Sequence, residues 1–175
     1  MNRKKIEIAD YAGTIIKALK KGVWLTTKAG DKVNSMVIGW GTIGDNWVKP
    51  VFVAYVRNSR YTREMLDANP EFTVNVPING YEKEAFRICG SLSGRDMDKI
   101  EASGLTLVPG EKVSVPAIKE YPLTLECKVI YRQAQDPALY PEDVTKMLYP
   151  VEENGEQDYH YTYFGEIVSA YILEE

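Results

Sequence analysis

The chain has 175 residues, of which 45% are hydrophobic and 26% charged, which predicts one folded domain over residues 1–175 without metal or disulfide stabilisation. A formal net charge of -4 and a pI near 5.2 argue against a general basic surface for nucleic acid, so any anion site has to be local. The two cysteines, Cys89 and Cys127, are far apart, which favours buried thiols over redox or zinc chemistry.

The N-terminal segment does not have the pattern of a secretory signal. Glu7 and Asp10 interrupt the apolar core that such a signal needs. No apolar run approaches the roughly 18 residues of a membrane-spanning helix. We therefore expect a cytoplasmic protein that contacts neither a membrane nor nucleic acid.

The first third of the chain has the pattern of one helix followed by antiparallel strands. Residues 9–20 have the three-and-four spacing of an amphipathic helix, which Gly22 ends. Strands are predicted at 23–27 and 33–42, with turns at 28–31 and 43–46. Polar and small residues interrupt the second strand, which indicates either an outward polar face with a glycine bulge or a wall for a planar ligand.

The next stretch, residues 51–76, places a polar loop between two strands. Strands are predicted at 51–56 and 72–76, the second half-buried, and a helix at 63–69 is ended by Pro70. The loop at 57–62 carries two arginines, a tyrosine and two hydroxyls able to cap the helix. Because a helix start has unpaired N–H groups, and arginine and hydroxyl groups add hydrogen bonds, this loop is predicted to bind a phosphate-sized anion.

A second polar segment lies between predicted helices at 81–87 and 96–102, the latter ended by Gly104. Serines and glycines at 89–96 precede Arg95, and Lys99 lies one turn further on. This composition indicates either a second anion or ring-edge site or a solvated loop. Residues 105–116 are predicted to be an irregular connection around a short strand.

The last third contains two predicted strands and a polar insertion. Alternation at 123–132 predicts one strand, and 161–172 predicts another that is broken by Gly165. Residues 133–158 are polar and proline-containing, with one helix at 142–148, and are predicted to be an insertion or flap. Six or seven strands with short connections favour a closed antiparallel barrel with the polar loops at its surface.

Six motifs occur in the chain in this order: NSMVIGWG at 34–41, VRNSRYT at 56–62, FTVNVP at 72–77, SGRDMDKIEASGL at 93–105, YPLTLECKV at 121–129 and HYTYFGEIV at 160–168. Together they resemble the flavin reductase-like FMN-binding split-barrel family, and within it the flavoredoxin subgroup. The resemblance implies a mainly β fold with peripheral helices, built as a six-stranded antiparallel Greek-key split barrel. It also implies a homodimer that binds FMN near the subunit interface.

The resemblance also assigns residues to the site. The residues that it places at the flavin ring are Asn34, Ser35, Met36 and Trp40. Those at the phosphate end are Arg57, Ser59, Tyr61 and Thr62, completed by Ser91, Ser93, Arg95 and, as an addition, Lys99. His160, the only histidine, matches a His-xxxx-Gly pattern and is assigned either to a nicotinamide contact or to a structural position at the barrel rim.

The function that the resemblance implies is an FMN-dependent oxidoreductase of the NAD(P)H:flavin oxidoreductase type. Electrons would pass from NADH or NADPH through FMN to flavin, ferric iron or a redox partner. The resemblance assigns no metal site and no catalytic residue, because the cofactor carries the redox chemistry. The alternative is a flavoredoxin-type carrier reduced by a protein partner, which a flavin covered by residues 134–157 would favour. A third possibility, a barrel relative that acts on a pyridoxine phosphate, shares the phosphate chemistry but not the motifs.

Overall fold

The computed structural model describes residues 1–174 as an antiparallel sheet with helices packed around it. The strands are β1 (Asn2–Lys5), β2 (Val23–Ala29), β3 (Lys32–Ile38), β4 (Gly41–Asn46), β5 (Lys49–Arg57), β6 (Glu71–Val76), β7 (Leu107–Val108), β8 (Ala117–Ile118), β9 (Leu123–Ala134) and β10 (His160–Glu174). The helices are α1 (Ile8–Leu19), α2 (Tyr61–Ala68), α3 (Lys83–Ser91), α4 (Lys99–Ser103) and α5 (Glu142–Leu148), with a 3₁₀ turn at Pro137–Leu139.

The main sheet has eight strands in the order β3-β2-β6-β9-β10-β5-β4, and β1 pairs with β10. All pairings in it are antiparallel, and β7 pairs with β8 in a separate small sheet. The mainly β fold with peripheral helices is therefore confirmed. The count exceeds six because β1 adds a strand beside β10 and the segment predicted as one strand at 33–42 forms two.

The segment at 33–42, predicted to be one strand, bends before its predicted end. β3 ends at Ile38, the chain bends at Gly39 and Trp40, and β4 covers the residues predicted to be a turn at 43–46. The hairpin turn instead lies at Trp47 and Val48, whose φ angles are 53° and 61°. Turns with two left-handed residues normally carry Asn or Gly, and neither Trp47 nor Val48 is of that type, so no ordinary turn signal marks these positions.

Several helix boundaries also differ from the predictions, and α3 covers Lys83–Ser91 instead of residues 81–87. α2 begins at Tyr61 rather than at residue 63, and α4 begins at Lys99 rather than at residue 96. The Asp98 carboxylate caps α4 by accepting hydrogen bonds from the N–H groups of Ile100 at 2.9 Å and Glu101 at 3.1 Å. Gly104, with φ of 65°, ends α4 as predicted.

The strand β6 is buried along nearly its whole length, not half-buried as its alternation indicates. Phe72 and Val74 face the main core. On the other face, the Thr73 hydroxyl donates to the Pro116 carbonyl at 2.8 Å, and the Asn75 amide donates to the Tyr121 carbonyl at 3.0 Å. The polar residues of β6 therefore bind the connection that covers them, a contact that alternation alone does not encode.

The strand β10 joins the two halves of the sheet, because it pairs with β1, β5 and β9. It continues through Gly165, where the pairing register shifts, instead of breaking there. A Cβ at Gly165 would overlap the Phe72 ring and lie 2.9 Å from the Cβ of Cys127. Glycine is needed at this position because the side chains of β6 and β9 approach it closely.

Residues 135–159 connect β9 to β10, and we call this segment the strap. It contains α5 at the residues predicted to be helical.

Both cysteines are free and buried, as predicted. Among the helices of residues 1–174, none has the length and apolar character needed to cross a bilayer.

Candidate functional site

Two adjoining cavities open beside β3, and they share Met36, Val37 and Arg60. The first, of about 130 Å³, lies between β3, the start of α2 and the loop between α3 and α4; we call it the anion cavity. The second, of about 210 Å³, extends along the bend at Gly39 and Trp40 to His160; we call it the aromatic cavity. Together they form an elongated site with different chemistry at its two ends.

A buried lysine gives the anion cavity its charge. Lys99 is 4% exposed and lines the cavity, and its ammonium donates a hydrogen bond to the Cys89 carbonyl at 3.3 Å. Within residues 1–174 no carboxylate lies within ion-pair distance of it. Burial lowers the pKa of Lys99, since a desolvated ammonium is costly without a counter-ion. An anion in this cavity would supply that counter-ion.

A buried amide faces the same cavity. Asn34 is 2% exposed, and its Nδ2 donates to the Thr62 hydroxyl at 3.0 Å. Its Oδ1 is buried and has no hydrogen-bond partner among the described residues. A Cβ at Gly94 would overlap this oxygen, so the backbone of the α3–α4 loop can come close only because residue 94 is glycine. An unpaired acceptor in such a cradle is suited to a hydrogen-bond donor on a ligand.

The start of α2 presents free donors to the cavity. No side chain caps the helix, so the predicted capping role of Ser59 and Thr62 is wrong. The N–H groups of Tyr61 and Thr62 have no backbone partner within the described chain. The Arg60 guanidinium, which borders both cavities, makes no hydrogen bond or ion pair to another described residue. These groups favour a bound anion.

Two other residues of the loop are bonded to the strap. Arg57 donates to the carbonyls of Leu148 at 3.0 Å and Asp158 at 2.9 Å, and it lines the aromatic cavity, not the anion cavity. The Asp158 carboxylate accepts from the Ser59 N–H at 2.9 Å and the Ser59 hydroxyl at 2.7 Å. Contact of Arg57 and Ser59 with a phosphate stays a prediction, and in this structure their donors hold the strap.

Arg95 is partly neutralised by a neighbouring acid. Its guanidinium donates to the Ser59 carbonyl at 3.1 Å and to Glu64 at 2.5 Å, and it lies 5.4 Å from the Tyr61 ring centroid. Lys99 and Arg60 are therefore the cations of the anion cavity that have no acidic partner among residues 1–174.

His160 forms the far end of the aromatic cavity. It is 6% exposed, its ring centroid lies 5.2 Å from that of Trp40, and its Nδ1 lies 2.7 Å from the Tyr149 hydroxyl. Burial, assisted by the positive charge of Arg57, lowers the pKa of His160 to about 4, although Asp158 acts in the opposite direction. The imidazole is therefore uncharged near neutral pH, and it acts as a hydrogen-bonding group, not as a cation.

The structure brings together most of the residues assigned from the sequence. Those at the anion cavity are Asn34, Met36, Ser59, Tyr61, Thr62, Ser93, Arg95 and Lys99, and those at the aromatic cavity are Met36, Trp40, Arg57 and His160. Ser35 and Ser91 line neither cavity. Ser35 points to the other face of β3, where its hydroxyl lies 3.0 Å from that of Thr26, and Ser91 is exposed at the end of α3.

Sequence reasoning did not assign Gly94, Arg60 or Tyr149 to the site, and Gly94 shows its role only through its approach to Asn34. Arg60 belongs to the loop predicted to bind an anion, so its charge and position gave a usable signal. Tyr149 lies in the strap and reaches His160 only through the fold, so no local pattern indicated it.

Comparison with known proteins finds a matching family model and proteins of similar sequence and fold. A family model described as "Flavin reductase like domain" matches residues 17–175. An uncharacterised protein of Archaeoglobus fulgidus is 29% identical over 142 residues, which cover 80% of this chain and 79% of that protein. Flavoredoxin from Methanosarcina acetivorans superposes with a TM-score of 0.65 at 29% identity, over 87% of this chain and 68% of its own. An NADH:FAD oxidoreductase of Streptomyces globisporus superposes at 0.61 with 20% identity, over 87% and 75%.

Proposed function

Because this chain belongs to the flavin reductase-like domain family, we propose that it is an FMN-dependent oxidoreductase. It takes electrons from NADH or NADPH and delivers them to free flavin, ferric iron or a redox partner. The observation that carries this proposal is the junction of the anion cavity with the aromatic cavity. FMN has a phosphate at one end and a planar ring at the other, and the two cavities offer matching chemistry in the same order.

The residues of the anion cavity fit a phosphate group. Lys99 and Arg60 provide positive charge that no described carboxylate neutralises, and the start of α2 provides free N–H groups. Serine and threonine hydroxyls at Thr62 and Ser93 add further donors. A dianionic phosphate would restore the hydrogen-bonding and charge balance that the buried ammonium lacks.

The residues of the aromatic cavity fit the ring of the cofactor. Met36 and Trp40 provide apolar and aromatic surface, and His160 adds an uncharged polar group. Bound FMN would supply the redox chemistry by accepting a hydride and returning its electrons singly or in pairs. This chain's residues then have to orient the ring, keep water from its face and leave room for the electron donor.

The strap supports a second candidate, an FMN electron carrier of flavoredoxin type that a protein partner reduces. It packs Tyr149 against His160, and Arg57 holds it by two carbonyl contacts. A segment fixed in this way narrows the approach to the His160 end of the aromatic cavity. This candidate is also supported by the similarity of the chain to flavoredoxin from Methanosarcina acetivorans, at 29% identity.

An anaerobic reduction experiment separates the two candidates. The purified protein is loaded with FMN, and its visible spectrum is followed after addition of NADH, then NADPH, and finally a low-potential reduced protein donor. Rapid bleaching by a nicotinamide supports the reductase. Bleaching only by the protein donor supports the carrier, and a protein that does not retain or perturb the FMN spectrum rules out both.

We also propose that the protein is a cytoplasmic homodimer. Trp47 is 62% exposed and Val48 fully exposed at the β4–β5 hairpin, and Tyr131 contacts Trp47 beside them. Such adjoining exposed apolar side chains are typical of an interaction surface. Light scattering on the purified protein should give a mass near twice 19.8 kDa, whereas the monomer mass would reject the dimer.

A further inference from the structure

The strap delivers one hydroxyl to the only histidine of the chain. The Tyr149 hydroxyl lies 2.7 Å from Nδ1 of His160, and the two rings are nearly perpendicular, at 89° with centroids 5.5 Å apart. Tyr149 is 5% exposed and His160 is 6% exposed, so bulk water does not compete freely for this contact. The pair lies where the strap meets the aromatic cavity.

The direction of this hydrogen bond follows from the two groups. Burial raises the pKa of Tyr149, so its phenol keeps its proton at neutral pH. A buried phenol proton needs an acceptor, and the Nδ1 of an uncharged imidazole is a good one. If Nδ1 accepts, the single proton of the neutral ring has to lie on Nε2.

The strap holds Tyr149 firmly enough to maintain this contact. Its carbonyl accepts a hydrogen bond from Gln157 Nε2 at 2.7 Å, and its ring lies 4.6 Å from that of Tyr140. The Arg57 guanidinium lies 5.1 Å from the Tyr149 ring centroid. Packing and hydrogen bonds from several directions are what a positioning residue needs in order to orient its neighbour.

We propose that Tyr149 is a positioning residue that fixes His160 as the Nε2–H tautomer, so that His160 presents a neutral hydrogen-bond donor to a carbonyl oxygen of a planar ligand in the aromatic cavity. The tautomer follows from the chain alone, whereas the ligand class rests on the proposed function. Two sources could provide the oxygen: the carbonyl edge of the flavin ring or the carboxamide of a nicotinamide donor.

The tautomer can be measured directly because the chain contains one histidine. The ¹⁵N NMR spectrum of protein labelled at histidine should show one protonated nitrogen, Nε2, and one unprotonated nitrogen, Nδ1, at neutral pH. Tyr149→Phe keeps the ring but removes the hydroxyl, and should shift both nitrogens toward the average of mixed tautomers. Tyr81→Phe, at an exposed ring that packs on Trp24 and Phe86 and lines neither cavity, is the matched control and should leave the pattern unchanged.

A proton on Nδ1, an averaged pattern in the unmodified protein, or an unchanged pattern in Tyr149→Phe would each overturn the assignment. Circular dichroism of both variants checks that they fold. If Tyr149→Phe does not fold, the pattern in the unmodified protein still decides the tautomer.

The ligand part is tested by the Nε2–H proton resonance. A shift on adding FMN identifies the flavin carbonyl as the acceptor, and a shift only when nicotinamide is added to FMN-loaded protein identifies the carboxamide. 3-Methylpyridine, a ring without a carbonyl, is the control and should not shift the Nε2–H resonance. If FMN and nicotinamide both leave the resonance unmoved although the visible spectrum shows FMN bound, the ligand part is wrong. An FMN spectrum that shows no binding refutes the proposed function instead, and leaves the tautomer to the first measurement.

Discussion

Replacing Lys99 by methionine should weaken FMN binding while stabilising the flavin-free protein. Lys99 is 4% exposed, and its ammonium makes one hydrogen bond, to the Cys89 carbonyl, out of the three that its N–H groups permit. Methionine has a similar length and suits the buried environment. It removes the charge that burial disfavours, so the free energy of unfolding without flavin should rise.

The loss of affinity follows from the donors that Lys99 leaves free. A charge-assisted hydrogen bond to a phosphate oxygen contributes about 1.5 to 3 kcal/mol. Its loss in Lys99→Met should therefore raise the Kd for FMN roughly 10- to 150-fold. Flavin fluorescence quenching measures the affinity, and urea unfolding of the flavin-free protein measures the stability. Lys83→Met, at an exposed lysine of α3, is the control and should change neither.

The opposite signs make this prediction easy to refute. If Lys99→Met lowers affinity and flavin-free stability together, the lysine supports the fold and its effect on binding is indirect. If affinity stays within about twofold of the unmodified protein, Lys99 does not contact the phosphate, and the anion cavity needs another explanation.

Three further changes test other parts of the site. Gly94→Ala should reduce FMN affinity at least about tenfold because its Cβ would displace the Asn34 oxygen, whereas Gly90→Ala in the same cavity meets only ordinary contacts and should not; equal affinities would contradict the cradle. Asp158→Asn should speed hydrogen exchange of the strap by weakening its bonds to the loop before α2, and unchanged exchange would show that the strap is held elsewhere. The pKa of His160 is about 4 in the folded chain against 6.5 unfolded, so the unfolded state binds more protons between these pH values. The free energy of unfolding should therefore fall by about 2 kcal/mol when the pH is lowered from about 7.5 to about 5. Urea unfolding of His160→Gln should lack this part of the pH dependence.

Local sequence patterns determined most of the fold's elements. The amphipathic spacing of α1, the alternation of β9 and the left-handed stop at Gly104 lie within short stretches, and the structure places these elements close to the predicted residues. Local signals failed where distant residues decide the outcome. β6 is buried on both faces because the connection after α4 covers it, and Trp47 and Val48 form a turn without the usual turn residues.

The candidate site divides in the same way. Residue types at 57–62 and 89–99 indicated anion binding, because charge and hydroxyl groups are visible in the sequence. Which arginine borders the anion cavity was not visible. Arg57 bonds Asp158, 101 residues further along the chain, and Arg60 faces the cavity without such a partner.

The sequence by itself therefore determined which charged and polar groups this chain carries. The tertiary structure decided which of these groups stay unpaired and available to bind a ligand. Periodicity, turn residues and charge act over a few neighbours, so they can be recognised in sequence. The partners of Arg57, Asn34 and His160 are set by strands and a strap that meet only after folding. Burial and pairing then determine which donors remain available to a ligand, and those are properties of the packed chain alone.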